Sequence, residues 1–216
     1  MESSFWIQAW KEGRTNFHKD KYNEKLLTYF PLLNPRKGQK VLVPLCGKSK
    51  DLLWLSNLEL QVHGVELHEQ ALKDFFSENN LPDPIKKQDE IYINYSHKNL
   101  RLSCGDFFKL PVNEGYELVY DRAALVALPA LMRKNYAEVI KRSLRPGGKY
   151  LLIAFEYNQA EMDGPPFSVS EKEVHELYDD SFKITLLGSE SPNKEGPKFE
   201  KLSVLEEKVY LLEKIV

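Results

Sequence analysis

Short runs of consecutive apolar residues alternate along this chain with stretches whose apolar positions recur every three or four residues. Residues 40–45 (KVLVPL), 61–66 (QVHGVE), 100–104 (LRLSC), 116–121 (YELVYD) and 149–155 (KYLLIAF) have the length and composition of buried strands. Residues 51–59 (DLLWLSNLE) bring Leu52, Leu55 and Leu58 to one side of a helix, and 68–80 (HEQALKDFFSENN) and 129–144 (PALMRKNYAEVIKRSL) also read as helices. Leu81-Pro82 and Arg145-Pro146-Gly147-Gly148 stop the latter two. Residues 85–95 form a polar, hairpin-like stretch, and 86–90 (KKQDE) within it read as a solvated turn. Strands alternating with helices predict one open, mostly parallel α/β sheet. Residues 182–188 and 206–215 are the last two strands. Only a turn-rich loop (SESPNKEGPKFE) joins them, so they predict an antiparallel hairpin at one edge.

Composition narrows this picture without changing it. The 216 residues suit a single domain spanning 1–216, with 42% hydrophobic and 29% charged residues, and no internal repeat interrupts them. A net charge of −2 advertises neither nucleic acid nor an anionic membrane as a partner. Two cysteines, Cys46 and Cys104, are too few for a disulfide framework, and they read as buried small residues. The five histidines lack metal-ligand spacing, so no metal is expected. The first residues, MESSFWIQAWKEG, carry no secretory signal, and the longest apolar runs are too short to span a bilayer. A soluble, cytoplasmic monomer is the expectation.

The candidate chemistry begins at residues 40–55, KVLVPLCGKSKDLLWL, where a strand runs into a turn holding Gly47-Lys48-Ser49. A phosphate-binding P-loop requires a second glycine five residues earlier, and Leu42 stands there. A dinucleotide loop requires G-x-G-x-x-G, and Gly47 is alone. The acid expected after the second strand is nevertheless present. Glu66 follows Gly47 by 19 residues, where a carboxylate can accept from both ribose hydroxyls. An acid for ribose without a pyrophosphate cradle points to a nucleoside carrying no phosphate, and S-adenosylmethionine fits that description. The competing reading makes Glu66 a solvated charge at a strand end. The next strand ends in CGDFF, which places Asp106 to accept from an adenine amino group and Phe107 to pack on the base; core packing is the alternative for Phe107 and Phe108. Trp6 and Trp10, four apart, share one helix face.

Five stretches together resemble the thiopurine S-methyltransferase family, in particular its bacterial branch: residues 5–18 (FWIQAWKEGRTNFH), 43–55 (VPLCGKSKDLLWL), 64–67 (GVEL), 120–129 (YDRAALVALP) and 155–174 (FEYNQAEMDGPPFSVSEKEV). The resemblance implies the class I methyltransferase (Rossmann-like) fold, a seven-stranded, mostly parallel sheet with an antiparallel C-terminal hairpin and helices on both faces. It implies S-adenosylmethionine as cofactor, S-adenosylhomocysteine as product and a small-molecule aromatic or heterocyclic thiol as acceptor. It assigns Trp10, Leu45, Glu66, Asp106, Phe107 and Arg122 to the cofactor. Phe17, Arg122 and Phe167 go to the acceptor, and residues 1–35 to a segment covering the cofactor. The family can carry a second arginine late in the chain. Here no arginine follows Arg145, which leaves Lys194 or Lys198 as substitutes. Methyl transfer from a sulfonium depends mainly on aligning acceptor, methyl and leaving sulfur, which can contribute on the order of 7–11 kcal/mol. An aromatic-lined pocket with one cation, Arg122, suits an ionised sulfur acceptor. The same arginine could instead pair with Asp121 or Glu156 and tie strand ends together.

Overall fold

The structure is a computed structural model that describes residues 3–13, 18–193 and 197–215. Its frame is one nine-stranded sheet: β1 (Lys40–Pro44), β2 (Gln61–Glu66), β3 (Ile85–Gln88), β4 (Ile93–His97), β5 (Leu100–Cys104), β6 (Tyr116–Arg122), β7 (Leu144–Glu156), β8 (Phe182–Glu190) and β9 (Glu206–Lys214). The spatial order is β3-β4-β5-β2-β1-β6-β7-β9-β8. From β5 to β7 every neighbouring pair is parallel, and β9 then enters antiparallel to both β7 and β8. The seven expected strands and the reversed C-terminal hairpin are therefore present. The strand count is corrected by two: the polar stretch forms the hairpin β3–β4, which pairs antiparallel with β5 and lengthens that edge. The expected turn at 86–90 lies partly within β3, an exposed edge strand. Its lysines suit an edge that must not pair with another chain.

Alternation along the strands distributes side chains to two cores. Val41 and Val43 of β1 join Val62, Leu102, Leu118 and Tyr120 on one face. There the sheet is covered by α2 (Glu24–Tyr29), α3 (Asp51–Asn57) and α4 (Glu69–Glu78), through Leu26, Leu52, Leu55, Leu72 and Phe75. Leu42, Val65, Val119, Tyr150 and Leu152 point to the other face, under α5 (Ala130–Ser143) and α6 (Glu171–Tyr178), which contribute Tyr136, Ile140, Val174 and Tyr178. A central strand buried on both sides has to be apolar throughout, which is why KVLVP reads as a continuous run. α1 (Ser3–Lys11) precedes this frame, and α7 (Pro197–Glu200) is a short helix within the loop read as turn-rich only. α2 and α6 were not anticipated either. Among the described residues no helix is long and apolar enough to cross a membrane.

Candidate functional site

In open parallel sheets ligands gather beyond the carboxyl ends of the strands, where the chain leaves for its helices. Here two of the departures that carry candidate residues are held in unusual backbone. Leu45, just past β1, has φ +46°, and Ala123, just past β6, has φ +61°. Non-glycine residues rarely adopt this region, and such strain concentrates where a loop is shaped for a ligand.

Glu66 ends β2 and is only 6% exposed, so the solvated-charge reading is set aside. Its Oε2 accepts the Gly47 N–H at 3.0 Å, and its Oε1 accepts the His68 N–H at 2.8 Å. The carboxylate thus stitches the turn after β1 to the turn after β2. Burial pushes its pKa up, and the backbone N–H bonds from His68, Gly47 and Leu67 work against that rise. Gly47 lies at φ +52°, and a Cβ there would meet the Trp10 ring at 3.2 Å. Trp10, from α1, stacks on His68 with 5.8 Å between ring centroids and 3° between planes. The Nδ1 of His68 is buried without a hydrogen-bond partner. No spacing rule in the sequence singles out His68.

Asp106, after β5, caps the 3₁₀ turn Phe107–Lys109 by accepting the Phe108 N–H at 3.0 Å. Tyr92 of the extra hairpin braces this loop, donating its hydroxyl to the Asp106 carbonyl at 3.0 Å. The Phe107 ring is 2% exposed and packs on Tyr136, with centroids 5.1 Å apart. Of the two phenylalanines, then, Phe107 belongs to the core and Phe108 is the half-buried one.

The other half of the edge is formed by β6, β7 and β9. Asp121 and Arg122 are neighbours that point to opposite faces, as successive strand residues must. Asp121 is fully buried and accepts four hydrogen bonds, from the Tyr136 hydroxyl (2.6 Å), the Tyr150 hydroxyl (2.8 Å) and the Ala124 and Leu125 N–H groups (3.2 Å each). Glu156 is committed to Lys208 at 2.8 Å and to the Glu171 N–H. Neither acid holds Arg122, whose side chain makes no hydrogen bond or ion pair among the described residues. On the same face stands Glu207 of β9, a carboxyl that the sequence analysis passed over. The signal was its phase, two residues from Val209 and four from Leu211 on an inward row.

Phe167 donates its N–H to the Val126 carbonyl at 2.6 Å, and the Arg133 guanidinium lies 6.0 Å from its ring centre. Arg133 is itself buried and paired with Glu173 at 2.6 Å. These residues wall a cavity of about 500 Å³ between the starts of α5 and α6, lined also by Gln159, Asp163 and Ser168. The structure brings Trp10 to Glu66 through Gly47 and His68, and among the described residues no hydrogen bond, ion pair or ring contact joins Phe167 to Arg122. Phe17 and Lys194 lie outside the described residues, and Lys198 is exposed on α7.

The first group of residues fits a nucleoside such as that of S-adenosylmethionine. A buried carboxylate with acceptor capacity left, an orphaned ring nitrogen beside it and a glycine approach are what a vicinal diol on a base requires. Among the described residues no group of His, Cys, Asp and Glu could hold a metal ion. A Ser–His pair does exist elsewhere, but it runs the wrong way for nucleophilic catalysis. Ser103 donates to Asn94 Oδ1 at 2.6 Å and so accepts from His63 Nε2 at 2.8 Å. The Nδ1 of His63 faces two donors, the Tyr116 hydroxyl and the Arg101 guanidinium at 2.7 Å.

Comparison with known proteins gives a family and a fold. The family model described as Thiopurine S-methyltransferase (TPMT) matches residues 1–215. A protein of Vibrio campbellii named Thiopurine S-methyltransferase is 40% identical over 214 residues, covering 98% of each chain. One of the same name from Aliivibrio fischeri (strain MJ11) is 41% identical over 214 residues, covering 99% of this chain and 100% of its own. Among solved structures, the 1,6-didemethyltoxoflavin-N1-methyltransferase of Burkholderia thailandensis, crystallised with 1,6-didemethyltoxoflavin and S-adenosylhomocysteine, superposes with a TM-score of 0.68. It is 17% identical, and the match covers 99% of this chain and 87% of that one, a likeness of fold.

Proposed function

The chain belongs to the thiopurine S-methyltransferase family, with the class I methyltransferase fold and S-adenosylmethionine as its cofactor, and on that premise we propose that it methylates the sulfur of small aromatic or heterocyclic thiols. One observation carries the proposal: Arg122 ends a central strand at the ligand edge, its side chain makes no hydrogen bond or ion pair among the described residues, and its neighbours Asp121 and Glu156 are bonded elsewhere. A guanidinium left without a partner favours an anion, and a thiolate conjugated to an aromatic ring forms readily near neutral pH.

In this reading Glu66 holds the ribose hydroxyls, while Trp10 and Leu45 bound the cofactor from above and from the β1 turn. Asp106 meets the adenine amino group, and Phe107 stiffens the loop from within the core. Phe17 and Phe167 flank the acceptor, and Arg122 stabilises its negative charge. Residues 1–35 act as the cover. S-adenosylmethionine supplies a methyl group on a positively charged sulfur; the protein's task is to align the acceptor with it and exclude water.

Calorimetric binding of S-adenosylhomocysteine, set against NAD, followed by product analysis with a panel of thiols tests the proposal. Binding of the former with S-methyl products is expected. Binding without transfer to any thiol would overturn the acceptor assignment.

A further inference from the structure

The acceptor half of the edge contains two charged groups that the rest of the protein does not satisfy. Arg122 is one. Glu207 is the other: its side chain is 15% exposed, it receives no hydrogen bond among the described residues, and its one ion-pair neighbour, Lys25 of α2, stands 3.9 Å away. Lys25 is itself drawn into a closer pair with Glu190 of β8, the residue in register with Glu207. A carboxyl withdrawn from water ordinarily collects donors, as Glu66 and Asp121 do here. The sheet register brings the two unsatisfied groups together. Ile153 of β7 pairs with Arg122 on one side and Val209 on the other, and Phe155 pairs with Glu207 two residues on. With a side-chain period of two, Arg122 and Glu207 share one face, separated by the single strand β7.

We propose that Glu207 is the proton acceptor of the reaction, taking the ring N–H proton of a heterocyclic thione while Arg122 faces the sulfur that becomes negative. The inference rests on the sulfur-methylation reading above and narrows it to acceptors of the form H–N–C=S. The Glu207 carboxylate removes the proton from nitrogen, and the N–H electron pair becomes the ring C=N bond. The C=S π pair moves onto sulfur, which forms the new S–CH₃ bond as the methyl–sulfonium bond breaks and its electron pair returns to the departing sulfur. The carboxylate's negative and the sulfonium's positive charge are consumed together, leaving a carboxylic acid and two neutral sulfides. Burial pushes the Glu207 pKa up; Lys25 and Arg122 oppose the rise, and Glu24 adds to it. A carboxyl raised in this way is a stronger base than one in water.

The test compares wild type with Glu207→Gln and Lys25→Met, after melting and S-adenosylhomocysteine affinity confirm that each variant is folded. The first readout is spectroscopic. The ultraviolet spectrum of a thiopurine bound beside S-adenosylhomocysteine distinguishes thione from anion, so a pH titration gives its ionisation on the enzyme. Arg122 beside the sulfur favours the bound anion and an ionised Glu207 beside the ring nitrogen opposes it, so Glu207→Gln is expected to move the transition to lower pH than in wild type.

The second readout is kcat/KM for the thiopurine against an aryl thiolate already ionised at assay pH. Glu207→Gln is expected to shift their ratio by about 10²-fold or more, the scale of general base catalysis. Lys25→Met, which removes an opposing cation, is expected to move the acidic limb of the thiopurine pH–rate profile to higher pH. Equal losses on both acceptors, or an unmoved spectral transition, would assign Glu207 to holding α2 on the sheet and overturn the proposal. Wild type forming no S-methyl product from any thiol would instead overturn the reading beneath it.

Discussion

Glu66 and Glu207 are carboxyl groups at the same edge of one sheet, the first buried and the second half-buried, and in both the withdrawal from water raises the pKa. Glu66 receives backbone N–H groups from two turns, whereas Glu207 receives no hydrogen bond among the described residues. The difference divides the edge into halves built on different principles. The cofactor half is finished without its ligand: the acid that would hold ribose also fixes the loops around it. The half proposed for the acceptor differs, with a guanidinium and a carboxyl that receive no hydrogen bond from the described residues. Unsatisfied groups withdrawn from water cost stability, and a molecule that completes them recovers that cost.

Asp121 and Arg122 offer the sharpest way to break that comparison, because adjacent residues should behave oppositely. Asp121→Ala strands two buried tyrosine hydroxyls and two N–H groups, and at ~1–3 kcal/mol for an unsatisfied group a loss on the order of 4 kcal/mol is expected by chemical denaturation. Arg122→Ala, having no partner to strand, should leave stability within about 0.5 kcal/mol. Its kcat/KM should nevertheless fall by an amount like that of losing one preorganised donor to a developing charge, about 2.7–4 kcal/mol. Arg122→Lys should recover part of it, since the charge remains without the planar fork. An Arg122→Ala protein that melts early yet turns over normally when folded would show the residue to be structural.

Glu66→Ala sharpens the comparison from the other half. Because this acid bonds two turns, its loss should lower the melting temperature as well as weaken S-adenosylhomocysteine binding, the latter by about 1–3 kcal/mol. A smaller effect concerns pH. Ribose hydroxyls donate to the ionised carboxylate and so favour it. S-adenosylhomocysteine affinity should therefore rise with pH through the raised pKa of unliganded Glu66 and level off above it. Glu66→Gln should flatten that slope in calorimetric titrations.

The smallest expected effect is in α1, where Trp10 meets Gly47 and His68. Amide exchange in residues 3–13 should slow when S-adenosylhomocysteine binds, and equal protection with and without it would remove the covering role from this segment.

Much of this architecture can be read locally. β1, β2 and β5 are apolar runs because both sheet faces are covered, and Gly47 and Glu66 follow from the chain geometry of such sheets. α6 escaped notice although its start is marked, since the Ser170 hydroxyl accepts the Glu173 N–H in an S-x-x-E cap. α2, six residues long and capped by Asn23, is too short to show a period. Phe107 and Phe108 carry identical text, and only the fold of the 3₁₀ turn decides which ring enters the core. Glu207 was illegible for a further reason. Its meaning depends on β9 running antiparallel beside β7, which brings a late residue to within one strand of Arg122. Such non-local pairing leaves no mark on neighbouring residues.

The most direct test of the account is where the methyl group goes. A thiopurine offers one sulfur and several ring nitrogens, and S-adenosylmethionine carrying a ¹³C-labelled methyl group lets carbon NMR of the product tell S–CH₃ from N–CH₃. With Arg122 facing the sulfur, the account requires the label on sulfur alone. Label on a ring nitrogen, or no labelled product while S-adenosylhomocysteine still binds, would contradict it.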